Sequence, residues 1–385
     1  MTSFIPFTYP DITELELKAV DETLRSGWLT TGTKVKAFEE QFAKAVGGRY
    51  AVAVNSCTAA LLLALEAAGV DASHEVIIPT MTFSATAEAI CHLGARPVLV
   101  DVRPENHTID PEAIRRAITS RTKAIIPVHL GGQACEMEVI CNLAREHKIQ
   151  VIEDAAHAFP SSYRGQRIGS IGDLTCFSFY ATKPLTTGEG GMVVTNNEQL
   201  AHRIRLMSLH GISKNSGEWP AEEAPWDYRV MDLGYKYNMT DIAAAMGIVQ
   251  LNRTEEMLEK RRLIASSYIR DLGTLGSIEL LEVQNFKENS WHLFIMRLRQ
   301  GALSIGRNQF IHELYLRGIG ASVHYKPLHC HPYYERKYLY RAEDFPVSMD
   351  LYERSISLPI FSKMDDLEIH RVIQAVLDIA RIFRQ

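Results

Sequence analysis

Residues 123–159 read KAIIPVHLGGQACEMEVICNLAREHKIQVIEDAAHAF, and the fold turns on this stretch. KAIIPV (123–128) is a short apolar, strand-like run, and EMEVICNLAREHK (136–148) spaces its apolar residues as a helix does. IQVIED (149–154) is a second strand-like run, ending in two carboxylates. Strand, helix, strand with near-continuous apolar strands marks a parallel pair buried on both faces.

The same alternation extends in both directions. AVAV (51–54), EVIIP (75–79) and PVLVD (97–101) precede it, LTCFSF (174–179) and GMVVT (191–195) follow, and helix-like stretches lie at 58–69, 83–93 and 110–119. The expected fold class is therefore α/β, with a mostly parallel seven-stranded sheet covered by helices. Chemistry in such sheets collects at the carboxyl ends of the strands. After about residue 200 the texture changes. Residues 208–238 are rich in Gly, Ser, Trp, Tyr and Asn, which predicts a long ordered or ligand-ordered loop. Residues 241–262 predict a helical stretch that connects two domains. WHLFIMRL (291–298), a helix near 307–317 and a last helix after Asp365 make a small α/β domain. The expected division is a large domain over 1–250 and a small C-terminal domain over 251–385.

Composition narrows the function classes. Of 385 residues, 46% are hydrophobic and 23% charged, with 41 basic against 46 acidic, so no overall positive field draws in nucleic acid or an anionic membrane. MTSFIPFTYPD has no basic n-region and no apolar h-region, so no secretion signal is expected. The longest apolar-rich stretch, Thr58 to Val70, contains Glu66 and falls short of the roughly 18 apolar residues of a membrane span. Six cysteines at 57, 91, 135, 141, 176 and 330 form no C-x-x-C pair, which predicts reduced thiols, a cytoplasmic setting and no structural zinc. His-Cys-His at 329–331 lacks further ligands at fixed spacing, and no metal is expected.

Three segments carry the chemistry. VIEDAAHAF (151–159) ends a strand in Glu153 and Asp154, with His157 three positions on. Alone, this admits a solvated loop, a helix cap, a metal site, or a partner for a cationic ligand atom. CFSFYATKPLTTGEGG (176–191) sets Lys183 among Phe177, Phe179, Pro184 and Leu185. Most lysines are surface charges, but these neighbours, Ser178 and the glycine cluster predict a partly desolvated pocket. Desolvation disfavours the ammonium and frees the nucleophilic amine. NSCTAALLLAL (55–65) opens a helix with backbone amides and the Ser56 and Thr58 hydroxyls, a ready anion site. A plain N-cap explains any one of these residues. A phosphate cradle, an acid after one strand and a lysine after another are together the parts of a pyridoxal phosphate site.

With these residues in place, the sequence resembles the DegT/DnrJ/EryC1/StrS sugar aminotransferases, pyridoxal-phosphate enzymes of the type I fold. The resemblance runs through SGWLTTG (26–32), NSCTAAL (55–61), VIEDAAHAF (151–159), FSFYATKPLTTGEGG (177–191), LGYKYNMTDIAAA (233–245), WHLFIMRL (291–298) and RGIGASVHYKPLH (317–329). It implies that Lys183 holds pyridoxal 5'-phosphate covalently and that Asp154 pairs with the protonated ring nitrogen. It implies that Phe83, in PTMTFSAT (79–86), stacks on the ring, although an ordinary core Phe reads the same way. Ser178, Cys57 and Thr58 would hold the phosphate, and His157 would lie near the ring's 3-oxygen, where many members carry Gln.

Asn238 matches the residue that reaches the neighbouring subunit's cofactor, which implies a homodimer with shared active sites. Trp28, Leu29, Thr30, His324 and Tyr325 match residues that contact the nucleotide-sugar. Arg229 is either a carboxylate or phosphate contact or a solvated loop arginine. The implied reaction moves an amino group from L-glutamate to a nucleotide-linked 4-keto sugar, closest to the UDP-linked substrates. A dTDP-3-keto-sugar aminotransferase and a non-catalytic ligand-sensing regulator are the alternatives. A dehydrating subgroup replaces the lysine with His, whereas this chain keeps Lys183. No G-x-G-x-x-G follows the first strand, which weighs against an NAD oxidoreductase.

Overall fold

The computed structural model describes residues 3–213 and 228–385. Its main sheet has seven strands: β1 (Tyr50–Val54), β2 (Glu75–Pro79), β3 (Arg96–Val100), β4 (Thr122–Ile125), β5 (Gln150–Asp154), β6 (Leu174–Ser178) and β7 (Gly191–Thr195). Each matches an apolar run in the sequence. They lie in the order β1-β7-β6-β5-β4-β2-β3. Only β7 is reversed, pairing antiparallel with β1 and β6. The remaining pairs are parallel, so the ends of β1, β2, β5 and β6 open onto the same edge.

Helices cover both faces. In chain order the helices are α1 (Glu14–Ser26), α2 (Thr33–Val46), α3 (Cys57–Ala67), α4 (Ser84–His92), α5 (Pro111–Ala117), α6 (Met137–His147), α7 (Glu198–Met207), α8 (Asp241–Asn252) and α9 (Thr254–Leu272); α2 to α8 flank the sheet, α1 lies on α8, and α9 turns away to a second core. Two buried clusters follow, one on each face. Ile77 turns to the side of Phe38, Phe42 and Phe177, and its neighbours Val76 and Ile78 turn to the side of α3. All three are fully buried, each contributing roughly 1.5–3 kcal/mol. That two-sided burial is why the strands read as unbroken apolar runs.

A second, three-stranded antiparallel sheet is built from β8 (Ile278–Leu280), β9 (Phe294–Leu298) and β10 (Ser355–Leu358). It packs with α9, α10 (Arg307–Leu316) and the last helix, Asp366–Ile382, around a separate core that also takes in Ile5. Ile5 arrives because Ile5 N donates to Gly318 O at 2.8 Å and Gly320 N donates to Ile5 O at 2.8 Å. We propose the division near residue 250 as the domain boundary, since this second core begins within α9. No helix among the described residues is long and apolar enough to cross a membrane.

One expectation is refined and another corrected. The helical stretch over residues 241–262 is divided between two helices: α8 ends and α9 begins at Arg253. Its guanidinium is drawn sideways to two buried carboxylates, Asp11 Oδ1 at 2.9 Å and Glu16 Oε1 at 2.7 Å. The 208–238 segment is not loop throughout, because residues 212–213 pair with 229–230 as a short hairpin; residues 214–227 lie outside the described residues. Helices α1 and α2 add to the expected set. Thr13 and Glu16 form a capping box that starts α1, and α2 follows Gly32.

Candidate active site

Three strand ends supply the reactive groups. At the end of β5, Asp154 is buried; its Oδ2 accepts from Thr86 Oγ1 at 2.8 Å and its Oδ1 from Ala156 N at 3.1 Å. Thr86 spends its proton on Asp154, so in its 2.9 Å contact with Thr82 it is Thr82 that donates. Strand alternation turns Glu153 to the other face of the sheet. There it accepts from Gly172 N and Thr175 Oγ1, each at 2.8 Å, and meets His129 Nε2 at 2.9 Å. Of the two carboxylates only Asp154 faces the chemistry, and no helix follows for either to cap. Burial raises the Asp154 pKa, against the opposing pull of Thr86, Ala156 and Lys183.

Lys183 sits in the connection between β6 and the reversed β7. Phe179 N donates to Gly190 O, Thr187 N to Phe179 O and Lys183 N to Tyr180 O, each at 2.9 Å, which folds this loop into a compact tip. Phe177, Phe179 and Leu185 are buried beneath it and fix its base. The ammonium is pushed down to about 8 by burial, although Cys57 and Asp154 favour its charge. The sequence expectation of a partly desolvated lysine holds.

At the end of β1, Ser56 caps α3: its Oγ accepts from Ala59 N at 3.1 Å, and its carbonyl accepts from Ala60 N at 3.0 Å. Among the described residues the amides of Cys57 and Thr58 have no acceptor, orphan donors of a first turn where the helix dipole favours an anion. Gly191 is obligatory beside them, because a Cβ there would stand 2.4 Å from Ser56 O and 2.8 Å from Cys57 N.

The opposite wall is aromatic. His157 Nδ1 accepts from Gly131 N at 3.2 Å, and His157 Nε2 lies 3.0 Å from Tyr325 Oη. His324 Nδ1 lies 2.8 Å from Ser357 Oγ, and its ring stacks on Phe7 at 5.3 Å. Burial lowers the pKa of His157 far below the usual range and that of His324 to about 4, with Lys183 adding to both. Phe83 is 59% exposed, an aromatic face presented to the space between these walls, with its ring 6.0 Å from Tyr325.

These walls enclose a cavity of about 580 Å³. Nine expected site residues line it: Cys57, Thr58, Phe83, Asp154, His157, Ser178, Lys183, His324 and Tyr325. Trp28, Leu29, Thr30, Arg229 and Asn238 do not line it. Asn238 Nδ2 donates to Thr31 Oγ1 at 2.7 Å, Thr31 Oγ1 to Met239 O at 2.6 Å, and Trp28 Nε1 to Thr31 O at 3.2 Å. Trp28 and Asn238 therefore meet on another surface of the chain, through Thr31. Arg229 belongs to the exposed hairpin. Thr86, Glu189, His292 and Phe7 line the cavity unforeseen. Thr86 stood inside PTMTFSAT, Glu189 inside GEGG and His292 inside WHLFIMRL, whereas nothing local in the sequence marks Phe7.

The donor set fits pyridoxal phosphate. Two orphan amides and the Thr58 and Ser178 hydroxyls suit a phosphate, a buried carboxylate suits a protonated ring nitrogen, and an amine with lowered pKa suits an aldehyde. The cavity lies within the range of about 300–1,000 Å³ usual for small-molecule sites. Fold and site together define a pyridoxal-phosphate-dependent enzyme.

Residues 10–377 match the DegT/DnrJ/EryC1/StrS aminotransferase family, and the chain belongs to it. SpsC of Bacillus subtilis, a spore coat polysaccharide biosynthesis protein, is 45% identical over 379 residues, 98% of this chain and 97% of that one. The PMP-form of Spr1654 from Streptococcus pneumoniae superposes with a TM-score of 0.92 at 35% identity, covering 98% of each chain, and its PLP-form with 0.91. Helicobacter pylori PseC, an aminotransferase involved in the biosynthesis of pseudoaminic acid, gives a TM-score of 0.92 at 28% identity, covering 99% of this chain and all of that one.

Proposed function

We propose that this enzyme transfers an amino group from L-glutamate to carbon 4 of a nucleotide-linked keto sugar, with UDP as the nucleotide, for amino-sugar or surface-glycan synthesis in the cytoplasm. The observation that carries this reading is the pairing of a buried carboxylate, Asp154, with an amine tuned to about 8, Lys183, in one cavity. The names of SpsC and PseC support a sugar substrate.

When bound, the cofactor supplies a conjugated cation that absorbs the electron pair left on a substrate carbon as its proton departs. The chain's own residues do the rest. Lys183 Nζ would accept that proton from the carbon and give it back two atoms away, on the far side of the nitrogen being transferred. Asp154 keeps the ring nitrogen protonated, Phe83 covers a ring face against water, and the Cys57 and Thr58 amides with Ser178 fix the phosphate. His324 and Tyr325 offer neutral hydrogen-bonding groups to the sugar, with Trp28, Leu29 and Thr30 further out.

The cavity also supports a shared site. Among its described lining residues Lys183 is the only lysine or arginine, yet a phosphate, a glutamate carboxylate and a nucleotide diphosphate must all be balanced. In a homodimer a second subunit answers that need, its Arg229 bringing positive charge and its Asn238 a neutral hydrogen-bond donor. Leu233, Val230 and Met231, 88%, 64% and 61% exposed, give such a subunit an apolar surface to cover.

The test is mass spectrometry of purified protein incubated with L-glutamate and a panel of UDP- and dTDP-linked 4-keto and 3-keto sugars. Replacement of the keto oxygen by an amino group on a UDP-4-keto sugar is expected. Amination confined to a dTDP-3-keto sugar replaces the substrate assignment, and no amination of any sugar removes the reading.

A further inference from the structure

The His157 ring is held at both nitrogens, and the two bonds differ in kind. Gly131, in the turn at 130–132 with φ 66°, points its backbone N–H at Nδ1 from 3.2 Å. A backbone amide only donates, so Nδ1 offers a lone pair and bears no proton. The titratable groups around this ring are His292 at 4.4 Å, His324 at 6.5 Å, Tyr325 at 5.9 Å and Lys183. None is an acid that would favour an imidazolium, and burial further disfavours the charge. A neutral imidazole with a bare Nδ1 carries its single proton on Nε2, which faces Tyr325 Oη at 3.0 Å. The imidazole therefore donates and the phenol oxygen accepts.

The ring has no freedom to reverse this. Ser290 Oγ donates to the His157 carbonyl at 2.7 Å, and Ser290 N donates to Ser161 Oγ at 3.0 Å, which pins the backbone. Turning the ring over would set C–H groups against both partners. Tyr325 Oη, having accepted from His157, still owns a proton, and no described residue accepts it. Its ring lines the cavity with Phe83 on one side and His157 on the other. Burial and the Asp154 charge push the phenol up, so it remains a donor.

We propose that Tyr325 donates a hydrogen bond to an oxygen of the bound group, aimed by a one-way chain from the Gly131 amide through His157. His157 is then a positioning residue, and the donor facing the ligand is the phenol. The proposal rests on the reading that the cavity holds pyridoxal phosphate and a keto sugar. Both offer the required acceptor: the cofactor's 3-oxygen, or an oxygen of the sugar.

Nitrogen NMR of histidine-labelled, cofactor-free protein tests the first half without any reaction. The His157 signals, assigned by their loss in His157→Gln, should show bare Nδ1 and protonated Nε2 unchanged from about pH 6 to about pH 8. A proton on Nδ1, or an imidazolium in that range, overturns the proposal. For the second half, Tyr325→Phe and His157→Leu should each lose about 3- to 100-fold in ligand affinity or turnover, the lower end for a neutral sugar oxygen and the upper end for the charged 3-oxygen of the cofactor. The double variant should be no worse than the poorer single one, and His157→Gln, whose amide can both accept from Gly131 and donate to Tyr325, should recover most of the His157→Leu loss. Additive losses, or no loss in either single variant, overturn it. A loss in cofactor Kd and a shifted visible band without sugar identify the cofactor as acceptor; a rise confined to the sugar's KM identifies the sugar. If no sugar is aminated while the tautomer and the cofactor Kd behave as stated, the functional reading fails and this inference stands.

Discussion

Asp154 and Lys183 enter one cavity from the ends of neighbouring parallel strands, and each favours the charged form of the other while burial opposes both charges. Borohydride treatment of the cofactor-loaded protein followed by peptide mapping should place the pyridoxyl group on Lys183. Lys183→Ala should carry no label and no turnover. A label on any other lysine defeats the assignment.

The lowered lysine predicts a pH dependence with a definite sign. Below pH 8 the Lys183 amine is protonated and cannot attack an aldehyde; above it the free amine dominates. The rate at which cofactor-free protein captures pyridoxal phosphate should rise with pH through about 8 and then level off. Stopped-flow absorbance measures this. A rise that continues to the ordinary lysine value of 10.5 would show a solvated side chain.

Asp154→Asn is nearly isosteric with a carboxyl that burial already biases toward its neutral form. Stability without cofactor should stay within about 1 kcal/mol, while turnover falls about 10²- to 10⁴-fold, because an amide cannot keep the ring nitrogen protonated. Denaturant melts and steady-state kinetics separate the two. Turnover near that of the wild type would assign the ring nitrogen another partner.

Glu16 should act on stability rather than chemistry. Burial opposes its charge, but Thr13, Arg253 and Gln250 outweigh it and hold the carboxyl down at about 2. The stabilisation is therefore fully present above the ordinary value of 4.5 and is lost as pH falls from there toward 2. Glu16→Gln should cost about 1–3 kcal/mol at neutral pH and flatten the acid limb of the stability curve. An acid limb as steep as that of the wild type would refute the network's role.

Subunit mixing tests the shared site. Lys183→Ala and Asn238→Ala proteins should each be impaired alone, and mixed dimers should regain activity. If Asn238 acts across the interface, one site in each mixed dimer holds both lesions and the other holds neither. Absence of rescue, with exchange verified by tagged subunits, would remove the role of Asn238 across the interface.

What the sequence reveals here depends on how local the physics is. Seven apolar runs become seven strands because burial on both faces is written directly into composition, as Val76, Ile77 and Ile78 show. Asp154, Lys183 and Cys57 are readable as a site because each stands at the end of such a run. Thr86 was in plain view, but its bond to Asp154 depends on which way a helical side chain turns. The break at Arg253 depends on carboxylates more than 230 residues away, and no window of sequence contains both. The Thr13–Glu16 capping box was an available signal for α1.

The pairing of Ile5 with residues 318–320 sets a timetable for the nascent chain. Phe7, carried by that pairing, forms part of the cavity wall, as do Tyr325 and Ile360. On the ribosome, where synthesis proceeds at roughly 5–20 residues per second, the main sheet can assemble while Phe7 still has nothing to rest on. Only when the segment around 318–325 emerges does the wall close, so the complete pocket is among the last things this polypeptide makes.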